Sequence, residues 1–194
     1  MLAAATRVFA RVGLLAATIE QIAQEGGVTR QAIYEQFGDK NALFDTVVGE
    51  MGEEMLAAFG TPADVSLDVD DVAWLRRCNM PVHSYFADHP IAVTLLREAE
   101  RVRNPAFVHY RARLTAAYTE AVRERLARRG CGQQGRLPAV LVALFFAMSS
   151  TLITMPWEGD PPDSDTLLDL LSEFTVGGLE RLAVARQDVI GRLG

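Results

Sequence analysis

The 194-residue chain is long enough to bury a hydrophobic core, as one compact unit or as a small domain joined to a larger one. With 49% hydrophobic residues and a net charge of −6, it has the composition of a soluble globular protein and not that of a generally basic nucleic-acid coat protein. Its two cysteines, Cys78 and Cys131, lie far apart in a chain without a secretory signal. We therefore expect two free thiols in a reducing cytoplasm.

A segment that begins at Thr18 has the pattern of two short helices joined by a glycine turn. Thr18 is a good N-cap, and Gln21, three residues later, can complete a capping box. The Gly26-Gly27 pair ends the first helix, because glycine adopts the left-handed conformation without a steric penalty. Thr29 can then cap the second helix. This is the sequence form of a helix-turn-helix.

The second of these helices carries side chains suited to contacts with duplex DNA. A recognition helix enters the major groove with its N-terminal residues against the base edges, where Arg30 can bind guanine and Gln31 can bind adenine. Asp39 is expected to cap a third helix at Lys40, the only lysine of the chain, and an ammonium there fits a phosphate contact. The predicted DNA contacts are Thr18, Thr29, Arg30, Gln31, Tyr34, Gln36 and Lys40.

The remaining pattern is helical, and no alternation of period two has a useful length. Apolar residues between Leu43 and Met55 predict a long fourth helix, which ends at the break around Gly60 and Pro62. Further helices are predicted from about Asp70 to Tyr85 with an interruption at Pro81, from a start at His89-Pro90, from Asn104 to Arg128, from Leu137 to Met155, and from a cap at Ser164 onward. The chain is therefore predicted to be all-α.

The stretch from Leu137 to Trp157 contains no charged residue and allows three interpretations. By length alone it could span a bilayer, but its prolines and hydroxyl side chains dilute the apolar character, so a membrane span is disfavoured. It could be a core helix of a single subunit. The favoured interpretation is a helix buried on two sides, against its own subunit and against a partner.

The N-terminal quarter of the chain resembles the DNA-binding domain of TetR-type (tetracycline-repressor-like) regulators. The family pattern is an apolar helix ending in Phe-x-x-x-Gly, then Thr-x-x-x-Ile-Ala, Ala-Gly-Val-Ser, Tyr-x-x-Phe and a lysine. Here it reads Phe9 to Gly13, Thr18 to Ala23, Gly26 to Thr29, Tyr34 to Phe37, and Lys40. The resemblance implies a three-helix DNA-binding domain at residues 1–45 with its helix-turn-helix at 18–37, and a helical ligand-binding and dimerisation domain at 46–194.

Two positions depart from the family pattern in a way that bears on DNA reading. Gln31 stands where the family often has glycine, so the operator sequence is not inferred by analogy. Glu35 stands where an aromatic residue or histidine is common, and it would repel phosphate. We therefore expect Glu35 to point away from the DNA.

In TetR-type proteins the last two long helices form a four-helix dimer interface, and this chain has two apolar helices in that place. A homodimer would present two recognition helices to an inverted repeat. The predicted interface residues are Leu141, Phe145, Leu152, Leu171, Phe174, Gly178 and Leu182.

The resemblance also implies a cavity for a small effector among the central helices. The available side chains would suit an apolar or aromatic molecule with one or two hydrogen-bonding groups. The predicted lining residues are Trp74, His83, Phe86, Phe107, Tyr110, Tyr118, Phe145, Met148, Thr151 and Met155. Ordinary core packing is the alternative for each of them. No cofactor is expected, and the three histidines are not spaced as metal ligands.

Two features qualify the DNA-binding interpretation. Residues 1–50 carry Arg7, Arg11, Arg30 and Lys40 against Glu20, Glu25, Glu35, Asp39, Asp45 and Glu50, a balance that is poor for non-specific DNA binding. The family also tends to have a basic arm before its first helix, so here either the arm is absent or the start is truncated. The alternative function is therefore a helical ligand- or protein-binding module whose helix-turn-helix no longer binds DNA specifically.

The sequence offers little support for an enzyme. It has no phosphate-binding loop, nucleophile elbow, zinc-binding His/Glu pair or Cys-x-x-Cys motif. Glu98 and Glu100 lie among arginines in a run expected to form a solvated face. The favoured function is a cytoplasmic DNA-binding regulator, with ligand-responsive repression as the default that the resemblance implies.

Overall fold

The computed structural model describes residues 1–66, 68–130, 135–155, 158, 162–185 and 187–192. Across these ranges the regular structure is helical and contains no strand, which confirms the predicted all-α class. Two residues named above, Cys131 and Trp157, lie outside the described part of the chain.

The predicted helices occur in order along the chain, a further short helix follows them, and the described residues include a 3-10 turn at Pro62–Asp64. They are α1 (Leu2–Ala16), α2 (Ile19–Gly26), α3 (Arg30–Phe37), α4 (Lys40–Phe59), α5 (Asp71–Asp88), α6 (Pro90–Arg101), α7 (Pro105–Arg128), α8 (Leu137–Thr154), α9 (Ser164–Ala185) and α10 (Gln187–Gly191).

The chain divides into two compact units. The first comprises Met1–Ala57 and Asp88–Ala112, and the second comprises Ala58–Ala87 and Arg113–Gly194. The first unit therefore contains the three N-terminal helices together with α6, although α6 lies far away in sequence. The domain boundary predicted after residue 45 stays a prediction.

The core of the first unit forms where α1 and α4 supply aromatic side chains. The rings of Phe9 and Phe44 meet edge to face with centroids 4.9 Å apart. Both side chains are buried, as are Ile22 and Ile33 from the two short helices. Burial of several such side chains contributes roughly 1.5–3 kcal/mol each, and this packing fixes α2 and α3 on the unit.

A break in α1 is closed by a carboxylate from α6. Gly13 has φ 75° and ψ 167°, so the helical hydrogen-bond pattern is interrupted there. The backbone N–H of Leu14 donates instead to Glu98 Oε1 at 2.7 Å. Glu98 also pairs with Arg101 at 2.8 Å and is only 14% exposed, so the prediction that it lies on a solvated face is wrong.

The same contacts alter the acidity of Glu98. The hydrogen bond from Arg101, reinforced by the Leu14 N–H, lowers the pKa of the Glu98 carboxyl below its usual value, although partial burial acts in the opposite direction. The carboxylate therefore stays charged where it holds the end of α1.

The second unit begins with α5, which runs through Pro81 without the predicted interruption. A proline inside a helix removes one N–H and so one backbone hydrogen bond. The turns on both sides of Pro81 are held by burial of Cys78 and His83. The buried Asn79 also donates a hydrogen bond from Nδ2 to Leu75 O at 2.8 Å.

The last long helix also differs from its prediction at one residue. Asp163, and not Ser164, supplies the cap of α9, because Asp163 Oδ1 accepts the Thr166 N–H at 2.9 Å. Gly177 and Gly178 continue the helix, and a Cβ added at either glycine would have no neighbour within 4 Å among the described residues.

Helix α8 is long and apolar enough to span a membrane by length and composition alone. It packs against α9 in the second unit, and its Val142 and Phe145 side chains are buried. It is therefore a core helix of this unit. Only 28% of the helix is buried within the single chain, which leaves apolar surface on its other side.

Candidate nucleic-acid interface and ligand cavity

The start of the helix-turn-helix is fixed by the predicted capping box. Thr18 Oγ1 accepts the Gln21 N–H at 3.1 Å, and Gln21 Oε1 accepts the Thr18 N–H at 3.0 Å. At the other end of α2, Gly27 adopts the left-handed conformation with φ 62° and ψ 31°. Both the capping box and the glycine turn are therefore confirmed.

Helix α3 is capped and anchored so that one long side remains in solvent. Thr29 Oγ1 accepts the Ala32 N–H at 3.1 Å, which confirms its predicted role as N-cap. Ile33 is fully buried and fixes the inner edge of the helix. The predicted contacts Thr29, Arg30, Gln31, Tyr34 and Gln36 are all exposed.

Two of these polar side chains are engaged by acidic neighbours. Arg30 pairs with Glu20 of α2 at 2.9 Å, and both side chains are exposed. Gln31 Nε2 donates to Glu35 Oε1 at 2.7 Å, one turn further along α3. Glu35 thus lies on the same surface of α3 as Gln31. If Gln31 enters the groove, Glu35 enters it too, so the expectation that Glu35 points away from the DNA is incompatible with the role predicted for Gln31.

Lys40 makes contacts that the sequence did not indicate. Its Nζ donates to the carbonyl oxygens of Leu15 at 3.2 Å and Ala17 at 2.7 Å, at the end of α1. A lysine ammonium has three donors, so one hydrogen remains for another acceptor. Asp39 Oδ1 accepts the Ala42 N–H at 2.8 Å, which confirms that Asp39 caps α4. The phosphate contact of Lys40 stays a prediction.

The second unit contains a partly open apolar cavity of about 80 Å³ among α5, α7, α8 and α9. Three of the predicted ligand residues, Trp74, Tyr118 and Phe145, line it, together with Asp71, Leu75, Val122, Arg125, Leu126, Arg129, Leu141, Val142, Phe146, Thr175, Val176 and Leu179. A second cavity of about 360 Å³ shares part of this wall, including Leu126, Val176 and Leu179, and extends toward α10.

A buried arginine, missed by sequence reasoning, borders the cavity. Arg125 pairs with Asp71, and its guanidinium lies 5.2 Å from the centre of the Trp74 ring. Arg129 pairs with the same carboxylate at 2.8 Å. Trp74 Nε1 is buried and has no hydrogen-bond acceptor in the described part of the chain. A bound molecule with an acceptor group could satisfy that donor.

A comparison of the sequence with models of known protein families agrees with the helix-turn-helix geometry of α2 and α3. Residues 1–47 match the family model of bacterial regulatory proteins of the tetR family. Residues 1–47 form a DNA-binding domain of the TetR family. TetR-family transcriptional regulators bind DNA and are not enzymes, so the predicted class of activity is confirmed.

Solved TetR-family structures share the fold over nearly the whole chain. A TetR-like regulator from Rhodococcus sp. RHA1 is 18% identical, with 92% of this chain and 93% of that chain covered and a TM-score of 0.72. PfmR from Thermus thermophilus is 21% identical, with coverages of 93% and 98% and a TM-score of 0.68. FadR from Bacillus subtilis, solved with stearoyl-CoA, is 19% identical, with coverages of 91% and 96% and a TM-score of 0.69. No curated protein matches the chain.

The other predicted ligand residues of this TetR-family protein do not gather at the cavity. Phe107 and Tyr110 belong to the first unit, where Tyr110 packs so closely on Gly52 that a Cβ there would lie 3.3 Å from it. Phe86 packs against Phe59 with ring centroids 6.0 Å apart. Met148, Thr151 and Met155 lie along α8 and are half-buried or exposed.

His83 forms a buried polar pair in the second unit. Its Nε2 lies 3.2 Å from Ser149 Oγ, and both side chains are buried. Burial lowers the pKa of His83, so the imidazole is held neutral. This arrangement gives His83 a partner of its own inside the helical core.

The predicted dimer residues fall into two groups. Phe145 and Leu171 are buried within their own unit, and Leu141 and Leu152 are half-buried. Phe174, Gly178 and Leu182 are exposed. Leu144 of α8 and Leu170 of α9, which were not among the predicted residues, are 56% and 62% exposed, and Phe174 is 67% exposed. The spacing of four residues between Leu170, Phe174 and Gly178 was the available signal.

Of the two cysteines, only Cys78 lies in the described part of the chain. Cys78 is a free, buried cysteine, and burial raises the pKa of its thiol to about 12. A thiol held in the neutral form is a poor nucleophile, so Cys78 is a packing residue. Among the described ranges, no group of three or more His, Cys, Asp or Glu side chains could hold a metal ion.

Proposed function

We propose that this TetR-family protein is a cytoplasmic, ligand-responsive repressor that binds a palindromic operator as a homodimer. The observation that carries the proposal is the exposed polar side of α3, held by the Thr29 cap and the buried Ile33. A capped, anchored helix with an exposed polar side is what insertion into the major groove requires. A dimer seated on a promoter would block polymerase.

The DNA contacts divide by their chemistry. Arg30 and Gln31 are the base readers, since guanidinium and amide groups match the edges of guanine and adenine. Thr29 and Tyr34 contact phosphate through their hydroxyls, and Thr18, Gln36 and Lys40 complete the contact set. Arg30 leaves Glu20 when it binds guanine, which exchanges an exposed, weak ion pair for hydrogen bonds to a base edge.

Dimerisation is supported by what α8 and α9 expose. Leu144, Leu170 and Phe174 are large apolar side chains, each more than half exposed in the single chain. Exposed apolar side chains on two packed helices are typical of a protein–protein interface. A twofold interface would cover them with the same helices of a second copy. It would also double the DNA contacts of an N-terminal domain in which acidic residues outnumber basic ones.

The effector proposal rests on the cavity next to Trp74. Its wall is apolar, and Trp74 Nε1 offers one buried donor for which the described residues supply no acceptor. An apolar or aromatic molecule with a hydrogen-bond acceptor fits this chemistry. FadR from Bacillus subtilis was solved with stearoyl-CoA, which makes acyl compounds the natural first probes.

The DNA-binding proposal is tested with the chain's own upstream DNA and a random duplex, at two salt concentrations. We expect a specific complex at low salt, weakened by added salt. Arg30→Ala should reduce the preference for the specific duplex by about 5- to 150-fold, the effect of one good base contact. Arg11→Ala removes the same charge from α1 and should weaken both duplexes alike. Equal losses on both duplexes for Arg30→Ala would overturn its assignment as a base reader.

The effector proposal is tested by thermal shift with decanoic acid, stearoyl-CoA and naphthalene. A compound that binds the folded protein at 100 times its Kd raises the free energy of unfolding by about 2.7 kcal/mol. The matched variant Val122→Phe places a larger side chain in the cavity, so it should abolish the thermal shift while leaving DNA binding intact. A shift that survives Val122→Phe would place the binding site elsewhere.

A further inference from the structure

Gln31 and Glu35 form the outermost pair of side chains on α3. An α-helix turns about 100° per residue, so each of the two lies about 200° around the helix from Ile33, which is midway between them in sequence. Ile33 is fully buried, and both partners are exposed. The pair therefore stands opposite the buried edge of the helix, on the side that a groove would receive.

The hydrogen bond between them fixes the orientation of an amide. Gln31 Nε2 donates to Glu35 Oε1 at 2.7 Å. A carboxylate only accepts hydrogen bonds, so rotation of the amide by a half-turn would place Gln31 Oε1 against Glu35 and is disfavoured. Gln31 is thereby left with two outward groups, its Oε1 acceptor and the second hydrogen of Nε2.

These two groups match one base edge. Adenine presents N6–H₂ as donor and N7 as acceptor in the major groove, whereas guanine presents two acceptors, O6 and N7. An amide that is free to turn can meet either purine in part, through its donors or through its oxygen. An amide held by Glu35 offers guanine O6 an oxygen, which is repulsive.

We propose that Glu35 is a specificity-determining residue that acts through Gln31, by holding its amide in the orientation that selects adenine over guanine. The inference rests on the proposed role of α3 as the recognition helix. Glu35 itself is a positioning residue, because the atoms that contact the base belong to Gln31.

The same carboxylate lowers affinity for any DNA, because it brings a negative charge close to the phosphates. Selectivity and affinity therefore change in opposite directions when Glu35 is replaced by alanine. Glu35→Gln is a second test of the orientation, since its amide can accept from or donate to Gln31 and so permits both orientations of the Gln31 amide, while the side chain keeps its size and the charge is gone.

The experiment selects binding sites from a random duplex pool with the full-length wild-type protein. Fluorescence anisotropy then measures binding to the selected duplex and to copies with A·T replaced by G·C at each position. The base pair read by Gln31 is the position at which Gln31→Ala loses its preference. The variants Glu35→Ala and Glu35→Gln are compared there, with Gln24→Ala as a control at an exposed position of α2 outside the predicted contact set.

We expect the wild type to prefer adenine over guanine at that position at least about fivefold, the lower bound for one bidentate contact. Glu35→Ala and Glu35→Gln should both reduce the preference to less than about twofold, and Gln24→Ala should retain it. Because both variants remove the same negative charge, both should bind a random duplex more tightly than the wild type, by a similar factor.

Two results would overturn the inference in different ways. An adenine preference that survives Glu35→Ala would exclude the role of Glu35 and leave the DNA-binding proposal intact. A selection that yields no common sequence, or a Gln31→Ala variant that loses preference at no position, would exclude Gln31 as a base reader and with it any role for Glu35.

Discussion

The exposed sides of α3 and of the α8–α9 pair differ in chemistry. Helix α3 exposes arginine, amide, phenol and carboxylate groups, several of them paired with acidic or amide neighbours. Helices α8 and α9 expose Leu144, Leu170 and Phe174, which have no polar function. The first surface suits a charged, hydrogen-bonding polymer, and the second suits an apolar protein surface. One chain thus carries surfaces that suit the two proposed partners, DNA and a second copy of itself.

The largest expected effect comes from placing a charge on the apolar surface with Phe174→Glu. In a twofold interface each copy contributes the substitution, so a loss of about 2 kcal/mol at one buried position counts twice and reaches about 4 kcal/mol. Because Phe174 is 67% exposed in the single chain, the free energy of unfolding of the monomer should change by no more than about 0.5 kcal/mol. Sedimentation should show a monomer.

The matched control is Val184→Glu, which places the same charge further along α9 at a side chain that is 86% exposed. It should remain dimeric if the interface is centred on Leu170 and Phe174. Dissociation by both substitutions would place the interface elsewhere or make it general to the helix, and dissociation by neither would remove the α8–α9 surface from the dimer.

The next largest effect concerns the break in α1 at Gly13. Gly13→Ala forces a side chain onto a residue with φ 75°, and the new Cβ would lie 3.1 Å from Glu98 Oε1. We expect a loss of about 1–3 kcal/mol in the free energy of unfolding, measured in urea. Gly49→Ala is the control, because Gly49 is helical and a Cβ there would lie 3.8 Å from Ala106. That variant should gain up to about 1 kcal/mol.

A smaller effect is expected in the pH dependence of the free energy of unfolding, through His83 in the second unit. Burial lowers the pKa of His83, so below about pH 6.5 the unfolded chain takes up a proton before the folded chain does. Stability associated with His83 is thus present above that pH and is lost as the pH falls toward the folded pKa, by at most about 1.4 kcal/mol per pH unit. His83→Gln should remove this dependence. The free energy of unfolding is measured for the wild type and for His83→Gln. A difference between them that stays constant from about pH 8 to about pH 5 would contradict this prediction.

The smallest effect is expected at the exposed pair on the DNA-binding side. Glu20→Gln frees Arg30 and removes one negative charge, while stability should change by less than about 0.5 kcal/mol. Affinity for DNA should rise roughly threefold, which corresponds to about 0.6 kcal/mol. Glu25→Gln removes a charge that pairs with Arg7 and not with Arg30, so it should raise affinity less. Equal gains would mean that the ion pair itself has no influence.

The parts of the structure that local rules govern could be predicted from the sequence. The Thr18 capping box, the left-handed Gly27 and the Thr29 cap depend on residues within three or four positions of each other, so their spacing alone predicts them. The family resemblance extended that reading to the whole N-terminal domain.

Contacts between distant segments could not be read in the same way. Glu98 reaches Leu14 across 84 positions, and Arg125 reaches Asp71 across 54, so no local pattern marks either pair. Glu98 also stands in a run of charges that usually faces solvent. Pro81 shows the converse, because tertiary burial around Cys78 and His83 kept intact a helix that local preference would have interrupted.

The central claim is that two copies of this chain read one inverted repeat through α3. Sedimentation of the wild-type protein with its selected duplex tests this most directly, since it gives the mass of the complex. We expect two chains per duplex and a symmetric site. One chain per duplex, or a selected site without twofold symmetry, would contradict the claim.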